Sequence, residues 1–282
     1  MSELSGLDLI DLTRYPIDVP DSARTHEIIA RCHRDLRESA LCSLPGFIKP
    51  DVLRQMVDEI TPILPEAFCY DDWLSIGYDG LVDGLTDDSF PPGHPRRIKF
   101  PERYHRLVNH QIPNNALIRK LYLLEPLLDF VRRVFGAKTL YRMQCPHFSL
   151  TIKIEPQGGT DSWHYDGNDG VVSLLLQQAS TGGEFEYAPY IRTETQENYE
   201  QVARVLADPD RWAKRPRFEP GTFVFFNGKR SLHRVREVGV TTQPRIVALL
   251  SYDQRPDYID DQAFVDELKT LPRARDIVTS VN

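Results

Sequence analysis

The chain has 282 residues, 27% of them charged, and its formal net charge is -7. This acidic balance argues against a nucleic-acid partner, whose phosphates require a basic surface, and favours a small-molecule partner. No apolar run approaches the roughly 20 residues needed to span a membrane, and the acidic N-terminus lacks the basic start and apolar stretch of a secretory signal. We therefore expect a cytoplasmic protein without a membrane partner. The cysteines form no CxxC pair and indicate neither a disulfide framework nor a thiolate zinc site.

Helical spacing of apolar residues dominates the first half of the chain. It predicts a helix over 22–41, a second that begins at Pro50, and a third from Asn115 to a stop at Gly136. Between the second and the third, residues 69–101 are rich in Gly, Asp and Pro and keep neither the helical nor the strand period. We expect this segment to be a long surface loop, of the kind that often forms a lid or a binding loop.

Short strand-like runs separated by Gly, Pro and Asp replace this pattern from Thr139 onwards, with one helix predicted over NYEQVARVL. Helices followed by strands indicate an α+β protein in which the helices pack on one sheet of a barrel or sandwich. We expect a single domain over 1–282, with a mainly helical part at 1–138, a β-rich core at 139–255 and a C-terminal tail at 256–282. The strand-like runs are TLYRMQ, HFSLTIKIE, GVVSLLLQ, GEFEYA, TFVFFN, HRVREV and RIVALLSYD.

The segment WHYD holds His164 and Asp166 two residues apart, which on an extended strand directs both side chains to one face. Farther along the chain, SLHRV supplies His233 in a strand-like run that can return beside the first. Two histidines and one carboxylate on a shared face leave open positions on an octahedral metal, which suits iron(II) that must also bind a chelating co-substrate and dioxygen. The spacing therefore predicts an iron site formed by His164, Asp166 and His233.

Neighbouring residues complete the predicted site. Arg245 opens RIVALLSYD, and its planar guanidinium suits two-pronged binding of a carboxylate, such as the far end of 2-oxoglutarate. Arg234, beside the distal histidine, is the second candidate for that role or has a structural role, and Trp163 is either a wall of the metal pocket or a core residue. Asn168 and Asp169 follow on a Gly-flanked turn, where they either recognise a substrate ammonium or simply form the turn.

The sequence resembles the iron(II)- and 2-oxoglutarate-dependent oxygenases in the motifs WHYDGNDGVVSLLLQ, GGEFEYAPYIR, ENYEQV, PGTFVFFNGKRSLHRV and RIVALLSYD. Within that family, it is similar to the group that contains radical halogenases of free, lysine-type amino acids and their hydroxylating relatives. The resemblance covers residues 161–253 and implies a double-stranded β-helix core, also called a jelly roll or cupin-like fold, with the N-terminal helices packed on it. It further implies Fe(II), 2-oxoglutarate and O2 as cofactors.

By this resemblance, the halogenases have Gly or Ala where this chain has Asp166, which leaves them a coordination position for chloride. The carboxylate therefore implies hydroxylation of an unactivated carbon of a free polar or cationic amino acid, with release of succinate and CO2. Which charged side chains hold such a substrate stays open. Whether two copies of the chain form a homodimer also stays open. The candidates are Arg103, Arg142 and Arg234 for the substrate's anionic group, and Asp161, Asp169 and Asp253 for its cationic group.

Two other functions remain as alternatives. A radical halogenase of the same family would need the position that Asp166 occupies to be free. A non-catalytic cupin-like protein would bind a metal or a small molecule without turnover, because function cannot be inferred from a fold alone. A zinc hydrolase ranks last, since no general-base glutamate lies at a motif spacing.

Overall fold

The computed structural model describes residues 4–76, 87–167, 171–259 and 262–275. Within these ranges, the helices are α1 (Ala23–Ser39), α2 (Pro50–Ile60), α3 (Leu117–Tyr122), α4 (Glu125–Phe135), α5 (Tyr199–Ala207), α6 (Pro209–Trp212) and α7 (Gln262–Thr270). The strands are β1 (Leu41–Leu44), β2 (Phe68–Ser75), β3 (Lys99–Leu107), β4 (Tyr141–Arg142), β5 (Leu150–Glu155), β6 (Asp161–His164), β7 (Val171–Gln177), β8 (Phe185–Ala188), β9 (Phe223–Phe226), β10 (Leu232–Val235) and β11 (Arg245–Asp253). None of the described helices is both long and apolar enough to cross a membrane.

The first helices begin and end at the residues that local chemistry favours. The Ser22 side chain accepts a hydrogen bond from the Thr25 N–H at 3.1 Å and so caps α1. The predicted third helix is divided into α3 and α4, because Pro126 lies in the first turn of α4 and a proline ring clashes with the carbonyl four residues earlier. Gly136 ends α4 with a left-handed φ of 65°, as the sequence predicts.

The strands form two antiparallel sheets. The major sheet runs in the order β1-β9-β7-β11-β5-β3-β2, with β4 beside β11, and the minor sheet runs in the order β6-β10-β8. The outward side chains of the major sheet, such as Ile152, Phe223 and Leu250, lie in one apolar cluster with residues of α1 to α4. The helices therefore pack on one sheet, as predicted for an α+β protein.

Side-chain alternation gives the major sheet two different faces. On β5, Ile152 and Ile154 belong to the helix-facing core, whereas Lys153 and Glu155 line a cavity on the other face. On β11, Ile246 and Ala248 face the helices in the same way, and the residues between and beside them line the cavity. The polar site is thus placed on the side of the sheet away from the main core.

The prediction of a long loop over 69–101 is wrong at both ends of this segment. Residues 68–75 and 99–107 are the strands β2 and β3, which pair in register from Phe68 opposite Arg106 to Ser75 opposite Lys99. Their polar composition hides the strand period, because β2 is an edge strand whose Asp71 and Asp72 are exposed. With β1, these strands make the first half less helical than predicted, and the expected C-terminal tail contains α7.

A phenylalanine of β9 tests the packing between the helices and the sheet. Phe223 is fully buried, and its ring stacks on that of Phe47 at a centroid distance of 4.7 Å. Phe223→Ala should lower the free energy of unfolding by about 3–5 kcal/mol, because it leaves a cavity at this interface. Denaturant unfolding measures the loss, with Val240→Ala, at a side chain that is 78% exposed, as the neutral control. A loss at Phe223 no larger than that of the control would contradict this packing.

Candidate active site

The cavity lies between the two sheets and has a volume of about 160 Å³. Strands β5, β7, β9 and β11 of the major sheet and β6, β8 and β10 of the minor sheet all contribute side chains to it. Much of its wall is apolar and is formed by Val171, Leu175, Phe185, Val224, Val247 and Leu249. The cavity is smaller than most ligand pockets, which span about 300–1,000 Å³, and therefore suits compact molecules.

His164 and His233 meet inside this cavity because β6 and β10 are antiparallel neighbours and the two histidines are directly opposed in register. Their ring centroids are 4.1 Å apart. In each ring Nδ1 lies within hydrogen-bond distance of the backbone carbonyl two residues earlier, at 2.7 Å for Ser162 and 2.9 Å for Ser231. These carbonyls accept a hydrogen bond from Nδ1–H, so that Nε2 of each ring is the nitrogen left as a metal donor.

Asp166 completes the group from just beyond the end of β6. Its Oδ1 lies 3.4 Å from Nε2 of His233 and 3.9 Å from Nε2 of His164. Its backbone N–H donates to the carbonyl of Gly228, in the turn before β10, at 3.2 Å. The sequence predicts the convergence of this triad from a strand that carries both His164 and Asp166, but the strand ends at His164, and the contact with Gly228 positions Asp166.

The donor set fits a divalent transition metal. One ligand atom from each of His164, Asp166 and His233 lies within 4.8 Å of the other two. Two imidazoles and one carboxylate are the ligands of iron(II) sites that keep positions open for other molecules. The hydrogen bonds at both Nδ1 atoms fix the ring orientation and the tautomer that such binding needs.

The three side chains also set one another's charge. Burial by itself would raise the pKa of the Asp166 carboxyl, but the charge and the hydrogen bond of His233 outweigh it, and the pKa is lowered. Burial and the charge of His233 lower the pKa of His164. Asp166 is therefore ionised and His164 neutral at neutral pH, which are the forms that bind a metal.

Two buried ion pairs lie beside the triad. Arg245, 6% exposed, donates from Nη1 to Oε2 of the fully buried Glu155 at 3.0 Å. Lys153 Nζ lies 2.5 Å from Asp161 Oδ2, and this charge outweighs burial and lowers the pKa of Asp161. The structure thus brings Arg245 into the cavity with the triad, as predicted, but places an internal carboxylate on its guanidinium.

Trp163 and Arg234 are not among the residues that line the cavity. Each precedes or follows a site histidine on a strand, and neighbouring strand residues point to opposite faces. Trp163 is 1% exposed in a separate apolar cluster behind the minor sheet. Arg234 covers its ring at 4.5 Å and donates to Glu186 at 2.8 Å, which makes both residues structural.

The other candidates for substrate binding are scattered. Of those in the described part of the chain, Asp161 alone lines the cavity. Arg103, Arg142 and Asp253 instead form ion pairs elsewhere, with Asp71, Glu125 and Arg255 respectively. Asn168 and Asp169 lie outside the described residues.

The cavity also contains charged residues that the sequence analysis missed. Lys153 and Glu155 sit two apart within the apolar run LTIKIE, and Arg106 lies on a strand that was expected to begin as a loop. The sequence of β5 does indicate this placement, since two charged residues that are two positions apart in an apolar strand share one face. No comparable signal marks Arg106, because its placement depends on the pairing of β3 with β5.

The sequence of residues 97–268 matches the family model described as Halogenase D, or HalD. The chain belongs to the Halogenase D family. A comparison of this family member with curated proteins finds no significant match. The matched residues make up well over half of the 282 residues. They include the triad and the two strands that pair with β5, which are β3 and β11.

Solved structures show the same fold at low sequence identity. The alpha ketoglutarate dependent carbocyclase SnoK from nogalamycin biosynthesis has a TM-score of 0.55 and 13% identity, over 84% of this chain and 89% of SnoK. AviO1 from Streptomyces viridochromogenes Tue57 has a TM-score of 0.52 and 14% identity, over 80% of this chain and 95% of AviO1. A prolyl hydroxylase from Trichoplax adhaerens has a TM-score of 0.51 and 10% identity, over 82% of this chain and 91% of its own.

These similarities confirm the predicted jelly-roll core with helices packed on it. Family and fold, with the His-Asp-His group, support an iron(II)- and 2-oxoglutarate-dependent oxygenase. The His-Asp-His group of this family member fits iron(II), and iron(II), 2-oxoglutarate and O2 are the cofactors that the sequence resemblance implies. When bound, iron(II) supplies the oxidising chemistry that no amino-acid side chain can provide.

The approach of Gly228 to Asp166 generates a prediction about metal binding. A Cβ at position 228 would lie within 1.7 Å of Asp166 Oδ2, so Gly228→Ala must displace the carboxylate. We expect its affinity for iron(II) to fall by about 10- to 100-fold, as for other positioning residues of metal ligands. Anaerobic titration with iron(II) measures this change.

Gly167→Ala is the matched control for this variant. Gly167 adjoins Asp166 in the sequence, yet a Cβ at this position would meet nothing within 4 Å. Its iron(II) affinity should equal that of the wild type. Equal affinities of the Gly228→Ala variant and the wild type would show that Asp166 has no fixed place in the metal group.

Proposed function

We propose that this protein hydroxylates an unactivated carbon of a free polar or cationic amino acid, using iron(II), 2-oxoglutarate and O2 and releasing succinate and CO2. The observation that carries the proposal is the carboxylate of Asp166 beside Nε2 of both site histidines. The halogenases that the sequence resembles have Gly or Ala at this position. A carboxylate there takes the place that a halide needs, and this favours hydroxylation over halogenation.

The residues of the cavity have separate roles in the proposed reaction. His164, Asp166 and His233 hold the metal, and the guanidinium of Arg245 binds the far carboxylate of 2-oxoglutarate. The apolar wall that includes Val247 excludes water, so that the oxidant reacts with the substrate rather than with solvent. The small cavity supports a free small molecule as substrate, and its several charged side chains support a polar one.

A screen of free amino acids tests the proposal directly. Each amino acid is incubated with iron(II), 2-oxoglutarate and O2, succinate is quantified, and products are identified by mass spectrometry. We expect one or a few polar or cationic amino acids to stimulate succinate release and to gain a single oxygen atom. Incorporation of chlorine in the presence of chloride would instead establish a halogenase. Absence of iron-dependent succinate release with every amino acid would favour the cupin-like binding protein.

The triad generates a prediction about the loss of each ligand. Asp166→Gly should suppress hydroxylation and lower the iron content, because it removes the only anionic ligand, while His164→Ala and His233→Ala should abolish turnover without unfolding the core. Iron analysis, product analysis and thermal unfolding measure these effects. Hydroxylation by Asp166→Gly at the wild-type rate, with unchanged iron content and no halide added, would disprove that Asp166 is a ligand.

Arg245 generates a prediction about co-substrate binding. Arg245→Gln should raise the KM for 2-oxoglutarate by a factor that corresponds to about 1.5–3 kcal/mol, the usual contribution of a hydrogen bond between charged groups. Because this change strands the Glu155 carboxylate, the double variant Arg245→Gln with Glu155→Gln serves to separate co-substrate binding from stability. The KM should stay raised in the double variant while the stability recovers. An unchanged KM in both variants would place the anchor elsewhere.

A further inference from the structure

Charged side chains in the cavity are matched in pairs, with one exception. Three cationic and three acidic residues line it, namely Arg106, Lys153 and Arg245 with Glu155, Asp161 and Asp166. Lys153 is paired with Asp161, and Arg245 with Glu155. Asp166 faces the two site histidines. Within the described residues, Arg106 is the cavity cation that no carboxylate approaches within ion-pair distance.

Aromatic rings hold Arg106 in this position. Its guanidinium carbon lies 5.2 Å from the ring centroid of Tyr70, 5.1 Å from that of Tyr104 and 5.7 Å from that of Phe148. Its Nη2 donates to the Tyr104 hydroxyl at 3.0 Å. Its Nε is buried and, among the described residues, has no acceptor. The rings fix the guanidinium but leave part of its donor capacity unused, and a buried donor without an acceptor is costly.

The charge balance points to an anion at this place. Among the described residues, the three cations and the three carboxylates that line the cavity cancel. A divalent metal on the triad adds two positive charges, and the dianion 2-oxoglutarate would restore neutrality. A chelating keto acid would place one of its carboxylates at the metal, and a cation would stabilise the second. In the described part of the chain, Arg106 is the cavity cation without a carboxylate at ion-pair distance.

We propose that Arg106 binds a carboxylate inside the cavity, either the carboxylate of the amino-acid substrate or, in place of Arg245, the far carboxylate of 2-oxoglutarate. The first source rests on the proposed function, whereas binding of a carboxylate as such does not. A guanidinium with a free Nε–H suits this ligand, because it can donate two parallel hydrogen bonds to it. Lys153 is less suited, since its ammonium group is already held by Asp161.

The first experiment measures carboxylate binding without turnover. The probe is glutarate, which has two carboxylates but no keto group, titrated by calorimetry into the full chain under anaerobic conditions, with and without iron(II). Arg106→Met keeps an apolar side chain of similar length among the rings and should weaken glutarate binding by about 10- to 100-fold in both states. Arg106→Lys should recover part of the loss.

Arg103→Met is the matched control. Arg103 lies on the same strand but pairs with Asp71 at the surface, with 41% of its side chain exposed, so its removal should leave glutarate binding unchanged. Wild-type affinity in Arg106→Met would overturn the proposal, as would absence of glutarate binding by the wild type. A loss of stability with unchanged affinity in the folded protein would assign Arg106 a structural role only, and would also overturn it.

The second experiment identifies the source of the carboxylate. With the amino acid found in the screen, a raised KM for 2-oxoglutarate in Arg106→Met assigns the residue to the co-substrate. A raised KM for the amino acid, with that for 2-oxoglutarate unchanged, assigns it to the substrate. If neither KM changes in Arg106→Met, the proposal is overturned for the working enzyme. Failure of the wild type to release succinate would count against the proposed function instead, because glutarate binding is measured independently of turnover.

Discussion

The register between β6 and β10 is the constraint on which the site depends. It sets His164 directly opposite His233, so that two imidazoles from distant parts of the chain face one cavity. Because side chains alternate along a strand, a slip of one residue would turn one of these rings to the outer face. Tight packing behind the minor sheet, where the fully buried Trp163 and Leu232 lie, opposes such a slip.

The cavity retains charges where an apolar interior would be more stable. Burying an ion pair has a desolvation cost that its Coulomb attraction often fails to recover. The pairs Arg245–Glu155 and Lys153–Asp161 are therefore weak evidence of stabilisation by themselves. Each sits on the inner face of a strand whose outer face is apolar core, so the fold supplies rigidity while the site keeps its polarity.

Asp166 connects the chemistry of the site to its backbone geometry. The residue belongs to no strand, and its carboxylate occupies space that exists because position 228 has no side chain. The difference between Asp166 and the small residue of the related halogenases therefore involves a second position far away in the sequence. A substitution at position 166 that changes the type of reaction also changes the space available at position 228, because the side chains of the two positions share one volume beside the histidines.

The sequence by itself indicated the class of fold, the three residues of the triad and the strand that Arg245 opens, because the side-chain pattern along each strand is a local property. That the triad residues meet depends on the pairing of β6 with β10 and on the contact of Asp166 with Gly228. Alternation also implies that Trp163 and Arg234 face away from their neighbouring histidines. The tertiary structure alone decided that residues 68–75 pair with β3 and that Glu155 meets Arg245. It also decided that, among the described residues, no carboxylate comes within ion-pair distance of Arg106. These features depend on which strands become neighbours, and a pattern along one strand shows which side chains share a face but not what lies opposite them.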